Sequence, residues 1–161
     1  MASRRAPHAE PACVLACVDA LEQVTREEKI VLDDQSRILD EYMKNLSLSG
    51  QPGVGDAFFK WVWQNQANMI VCERVEIHRR GRGAEDYEEF PSSPSLCGFD
   101  PSDKKFVAVA LGSKSNPQVL TAVERGWWNH RTALEQCGVR VKFLCPSKHN
   151  SRGNRNTRKL G

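Results

Sequence analysis

The chain has no uninterrupted apolar run near the roughly 20 residues that a membrane-spanning helix needs. Its first ten residues, Met1 to Glu10, are polar and basic and hold no apolar core of a secretion signal. On that ground the sequence points to the cytoplasm. There is no C-x-x-C pair among its six cysteines, Cys13, Cys17, Cys72, Cys97, Cys137 and Cys145. Cys13 and Cys17 are one helical turn apart, which invites a metal reading, but no neighbouring His or second Cys pair joins them. Buried reduced thiols, acting as small hydrophobes, are the expectation. No internal repeat is visible. His78, His130 and His149 make no ligand spacing. Acids are missing from Ser147 to Gly161, which holds Lys148, Arg152, Arg155, Arg158 and Lys159. Setting those five aside from the 23 Lys and Arg leaves 18 cations against 20 acids. The net charge of +3 therefore belongs to the tail, and the body is mildly acidic.

What is present suits one globular domain: 161 residues, 40% of them hydrophobic. Residues 1–146 read as that domain and 147–161 as a basic, disordered tail. Pro11 to Val24 predicts a helix whose stripe is Val14, Leu15, Val18 and Leu21. Lys29 to Asp33 reads as a short buried strand. Ser36 to Leu46 reads as a helix with Ile38, Leu39, Tyr42, Met43 and Leu46 on one side, ended by Ser49-Gly-Gln-Pro-Gly53. Gly55 to Gln66 is an aromatic-rich helix, and Cys72 to His78 alternates as a strand does. Arg79 to Gly83 reads as a flexible loop and Asp86 to Phe90 as a short helix. Gln118 to Val123 is a second buried strand, Gly126 to Gln136 a helix capped near Gly138, and Val139 to Phe143 a last strand. Strands alternating with helices imply an α/β layer fold with a mostly parallel sheet. Such sheets bind ligands at the carboxyl ends of their strands.

The run Phe99 to Leu111 carries the sharpest chemical signal. Asp100 suits an N-cap and Pro101 the first helical position. At about 100° per residue, Asp103 shares a face with Phe106, Val107 and Ala110, while Lys104 and Lys105 point elsewhere. A carboxylate on an inward face must be hydrogen-bonded, paired or bound to a metal, because burying it bare is very costly. Asp33 and Asp34 end the first strand, and Glu124 follows the strand after this helix. Acids thus converge on the expected edge, where a hard cation such as Mg²⁺ or Mn²⁺ would relieve their repulsion.

The pattern resembles the PIN-domain family, the metal-dependent nuclease fold common among toxins of bacterial toxin–antitoxin pairs. The likeness runs from about Cys13 to Pro146. It is carried by Ile30-Val-Leu-Asp-Asp, Ile38-Leu-Asp-Glu-Tyr42, Asp100 to Leu111, Val119-Leu-Thr-Ala-Val-Glu-Arg-Gly-Trp-Trp128 and Gly138-Val-Arg-Val-Lys-Phe-Leu144. The resemblance implies a three-layer α/β/α fold with a mostly parallel central sheet. It implies an endoribonuclease whose ring of acids holds Mg²⁺ or Mn²⁺ and activates water against RNA. By resemblance Glu41 is the helical glutamate, Asp103 the central aspartate and Glu124 the late acid. Asp33 and Asp34, by their position at the strand end, are open to serve as substitute metal ligands. RNA is the implied substrate, and an antitoxin protein or a second copy of the chain the implied partner.

Two departures stand out. The family opens with a strand ending in aspartate, and here only ten polar residues precede the first helix. That strand would lie between those ending at Asp33 and Val123, so its loss should leave a gap or force the two to pair. A truncated product with an upstream start, or a degenerate gene serving as a binding module, would both read this way. The late acid is also a Glu where an Asp is expected. Each residue has a plainer role as well. Asp103 can serve the open N–H groups of its helix start. Glu41 lies off the centre of its apolar stripe, and Glu124 suits a surface turn. Asp33 and Asp34 suit helix capping, and Asp56 suits the positive end of its helix. Trp61, Trp63, Trp127 and Trp128 read as core residues. Arg79, Arg80, Arg82 and the tail cations can face water or RNA phosphates.

Overall fold

The computed structural model describes residues 10–83 and 85–145. The expectations for the tail, for His149 and for a domain boundary at 146 lie outside the described residues. The elements are α1 (Pro11–Glu27), β1 (Ile30–Asp33), α2 (Arg37–Asn45), α3 (Val54–Asn65), β2 (Cys72–Val75), α4 (Lys104–Gly112), β3 (Gln118–Thr121), α5 (Arg125–Asn129), α6 (Arg131–Gln136) and β4 (Arg140–Phe143). The chain is α/β, and its strand pairing is parallel as the alternation predicts.

The strands do not form one sheet. β1 pairs with β2 from Ile30↔Cys72 to Asp33↔Val75. β3 pairs with β4 from Gln118↔Arg140 to Thr121↔Phe143. No ladder joins β1 to β3. Of the two outcomes foreseen for these strands, forced pairing therefore does not occur. α4 packs against both β1 and β3 and holds the two halves together. It can do so because it is apolar nearly all round: Val107, Ala108, Val109 and Ala110 are all buried. A helix buried on more than one side is the arrangement expected for such a sequence.

One continuous core runs through both halves, from Leu32, Leu39, Phe59 and Val62 through Ile77, Tyr87 and Val107 to Leu134 and Val139. Phe59, Tyr87, Val107, Ala108 and Leu134 are completely enclosed. A second, smaller cluster consists of Cys13, Cys17, Ala122 and Cys145, with Leu144 against it.

Several local expectations are corrected. In α1 the buried face is Cys13, Cys17, Ala20 and Val24, not the Val14/Leu15 stripe. Leu15 is 61% exposed. Cys13 and Cys17 turn inward to meet Ala122 and Cys145, which leaves Val14 and Leu15 on the outer side of the helix. Asp86 to Phe90 is not a helix. An antiparallel bridge joins Arg79 to Tyr87 and buries the Tyr87 ring. The segment Gly126 to Gln136 is two short helices. The His130 ring breaks them, with Nδ1 2.8 Å from the Gly126 carbonyl and Nε2 3.3 Å from that of Cys97. Its end is as expected: Gly138 takes φ of 87°, and the Gly138 and Val139 N–H groups donate to the Glu135 and Leu134 carbonyls. This is the double bond pattern that closes a helix on a left-handed glycine. Cys13 and Cys145 are not reduced thiols but a disulfide, whereas Cys17 and Cys72 are buried free thiols as expected.

Candidate functional site

Asp100 begins the site-bearing segment as the sequence predicts. Its Oδ1 accepts from the Ser102 N–H at 2.9 Å and from the Ser102 hydroxyl at 2.8 Å. A single tight turn, Pro101–Asp103, follows and feeds α4. Asp103 sits at that junction, half-buried. The Trp127 indole N–H donates to its Oδ2 at 2.9 Å. Trp127 is itself buried, edge-on to Phe99 at 5.2 Å, and Phe99 stacks on Phe90 at 5.7 Å. An aromatic wall thus fixes one side of the carboxylate.

Burial is the main reason the Asp103 carboxyl is pushed up to about 6 from an ordinary 3.8. The Glu124 charge adds to the rise, the Trp127 bond opposes it, Asp100 adds a little and Lys105 subtracts a little. Glu124 stands at the exposed start of α5 and uses no side-chain oxygen to cap it. Asp103 and Glu124 are therefore two like charges felt across one site, the arrangement that a cation relieves.

Glu41, on α2, is held differently. Its Oε2 accepts from Lys44 Nζ at 2.8 Å and from Lys105 Nζ at 3.2 Å. Burial would raise this carboxyl, but the two lysines, by hydrogen bonds and charge, hold it below its usual range. Lys105 is the residue that sequence reasoning missed. It does not point away from the apolar face: it is 2% exposed and lies where Glu41 and Asp103 both feel its charge. The signal was available, since a lysine inside a helix apolar nearly all round has nowhere dry to go without a partner. Lys104 does turn elsewhere, to Asp86 at 2.9 Å.

Asp33 is occupied otherwise. It is completely enclosed. Oδ2 accepts from the Gln35 and Arg37 N–H groups at 3.1 and 2.8 Å, and Oδ1 from the Ile38 N–H at 2.9 Å. The carboxylate caps α2 from outside the helix, while Ser36, at the cap position, makes no side-chain cap bond. That is the plainer of its two readings, and it leaves Asp33 no oxygen that is not already bonded to the backbone. Asp56 is likewise structural: its oxygens accept from the Ser47 N–H at 2.6 Å and the Gly53 N–H at 3.0 Å, closing the loop before α3.

Asp103, just before α4, thus feels the charges of Glu124, just before α5, and of Lys105, and Lys105 in turn binds Glu41 on α2, while Asp33 is given to the backbone. Among the described residues these acids do not form a group of three whose oxygens lie within 4.8 Å of one another. As donors for a metal, Asp103 and Glu124 suit a hard cation with oxygen preference. Glu41 reaches such an ion only by giving up Lys105. Comparison with protein-family models, with curated proteins and with solved structures gave no match to this chain. Among the described residues no helix is long and apolar enough to cross a membrane.

Proposed function

We propose that the chain is a PIN-like, divalent-metal-dependent endoribonuclease in which Asp103 and Glu124 hold a Mg²⁺ or Mn²⁺ ion. The observation that carries this reading is the Asp103 carboxyl, lifted to about 6 by burial and by Glu124. A carboxyl raised by burial and by a like charge is a frequent mark of a functional site. The ion would lower the pKa of a bound water and offset charge on the attacked phosphate. Asp103 would be fixed by Trp127, so the ligand that matters most is also the one whose position is most constrained. The residue pattern supports the PIN-like reading, and the parallel pairing of the strands agrees with it, although β1-β2 and β3-β4 are separate pairs and not one central sheet. A toxin held by an antitoxin is the corresponding biological role.

A second reading is favoured by Lys105. Its ammonium already binds Glu41 and is felt at Asp103. In that reading the site has lost hydrolysis and the chain is a binding module for RNA. The two readings separate in one assay. Purified protein is incubated with single-stranded RNA and Mn²⁺, with EDTA and Asp103→Asn as parallel controls. Cleavage that both controls abolish supports the nuclease. Folded protein that binds RNA with steep salt dependence but cuts none with Mn²⁺ supports the binding module.

A further inference from the structure

The small second core is made almost wholly of sulfur. Cys13 and Cys17 project from successive turns of one face of α1, and Cys145 follows β4 at the other end of the chain. The three Sγ atoms lie within 4.8 Å of one another, and all three residues are buried. Cys13 and Cys145 are joined as a disulfide, their Cα atoms 5.2 Å apart. That bond accounts for two of the sulfurs. It does not account for Cys17, 4% exposed and aimed into the same cluster.

We propose that in the reduced protein Cys13, Cys17 and Cys145 are the three thiolate ligands of a zinc ion, which ties α1 to the end of β4. Three features point to this chemistry. Zinc–sulfur bonds of about 2.3 Å place tetrahedral ligand sulfurs just under 4 Å apart, a spacing the 4.8 Å limit admits. Cys13 lies in the first turn of α1, at the positive end of the helix dipole, which favours a thiolate, and that turn carries no acid to oppose it. Finally, the cluster is small: Ala122 and the edge of Leu144 are its remaining apolar members. So little surface stabilises a chain end weakly, and a metal or a covalent bond is the usual supplement.

The two states exclude each other. Reduction of the disulfide by a dithiol or phosphine delivers two electrons and two protons and yields two thiols. Zinc binding then releases the three thiol protons and forms three Zn–S bonds. A water completes the tetrahedron, because no fourth His, Cys, Asp or Glu joins this group among the described residues. The bound ion leaves one net negative charge where three bare thiolates would leave three, which a buried site cannot hold. The site is separate from the acids around Asp103 and independent of the nuclease reading.

The test uses the full chain, reduced with a phosphine, desalted without oxygen and titrated with Co²⁺ and then Zn²⁺. The expected result is one equivalent of Co²⁺ with thiolate charge-transfer bands and tetrahedral d–d bands, displaced by Zn²⁺. Cys17→Ala keeps the Cys13–Cys145 disulfide, so its fold can be verified oxidised before reduction. It should lose the tetrahedral spectrum and bind Zn²⁺ at least about 100-fold more weakly, since even outer-shell losses reach that size. Cys72→Ala, Cys97→Ser and Cys137→Ser should leave the titration unchanged. No thiolate bands in reduced, folded wild type, or bands that survive Cys17→Ala, would overturn the site.

Discussion

Replacing Asp103 with Asn should make the protein more stable and, on the proposed function, inactive. The Asn Oδ1 can still accept from the Trp127 indole, so the 2.9 Å bond has a successor. What disappears is the ionised carboxylate. In the folded chain that carboxyl titrates at about 6 rather than 3.8, because burial and Glu124 oppose its charge. A raised acid binds its proton more tightly when folded, so wild-type stability falls as pH rises from the unfolded value through the folded one. For a fully enclosed group, a rise of that size would amount to about 3 kcal/mol, at roughly 1.4 kcal/mol for each tenfold change in proton affinity. Asp103 is only half-buried, and solvent screening reduces this to about 1–2 kcal/mol. At pH 8 Asp103→Asn should therefore unfold about 3–6 °C higher than wild type, given a few degrees per kcal/mol for a domain of this size. By pH 3.5 the difference should be small, because Asp103 is then largely protonated in the folded and the unfolded chain alike. Thermal unfolding of the two proteins from pH 3.5 to 8, without divalent metal, gives the curve. A variant that is less stable at pH 8, or a difference that does not change with pH, would show that Asp103 is not strained by its charge. Adding Mn²⁺ should then raise the melting temperature of wild type and not of the variant, since only a ligand that binds the folded state stabilises it.

Asp33→Ala leaves three N–H groups at and just before the start of α2 without their acceptor, that of Ile38 in the interior. It should cost about 2–3 kcal/mol in urea unfolding, more than an exposed cap loses, and a change under about 0.5 kcal/mol would refute the capping role. Lys105→Met removes the buried ammonium that binds Glu41 and lies within reach of Asp103. Both carboxyls should titrate higher by NMR, with Glu41 still held by Lys44, and an unchanged Asp103 would show that the Lys105 charge does not reach it. Trp127→Phe deletes the indole donor while keeping the ring against Phe99. Asp103 should rise further above 6, moving the acid limb of any metal-dependent activity to higher pH. A limb that stays in place would mean that the bond does not select the ionised form.

The local pattern of the chain reports local structure well. Period and caps locate the strands and most helices within a few residues, because spacing, Pro101, Asp100 and Gly138 act through the backbone beside them. The α1 face departs from its pattern for a physical reason: hydrophobicity ranks Leu15 above Cys17, but the Cys13–Cys145 disulfide and the sulfur cluster around it turn the cysteine side inward. His130 likewise splits a helix through a carbonyl at Cys97, far off in sequence, which no window could include.

The sequence by itself determined the parallel α/β character, the capped α4 segment and the inward pull on Asp103, since each depends on residues within about a turn of one another. Tertiary structure alone decided which acids share a site. Only packing sets Lys105 against Glu41 and within reach of Asp103, gives Asp33 to the α2 backbone and brings Cys145 to Cys13 across 132 residues. Charge, burial and sulfur contact fall off over a few ångströms of space, whatever the distance along the chain, and so are fixed only once the chain has folded.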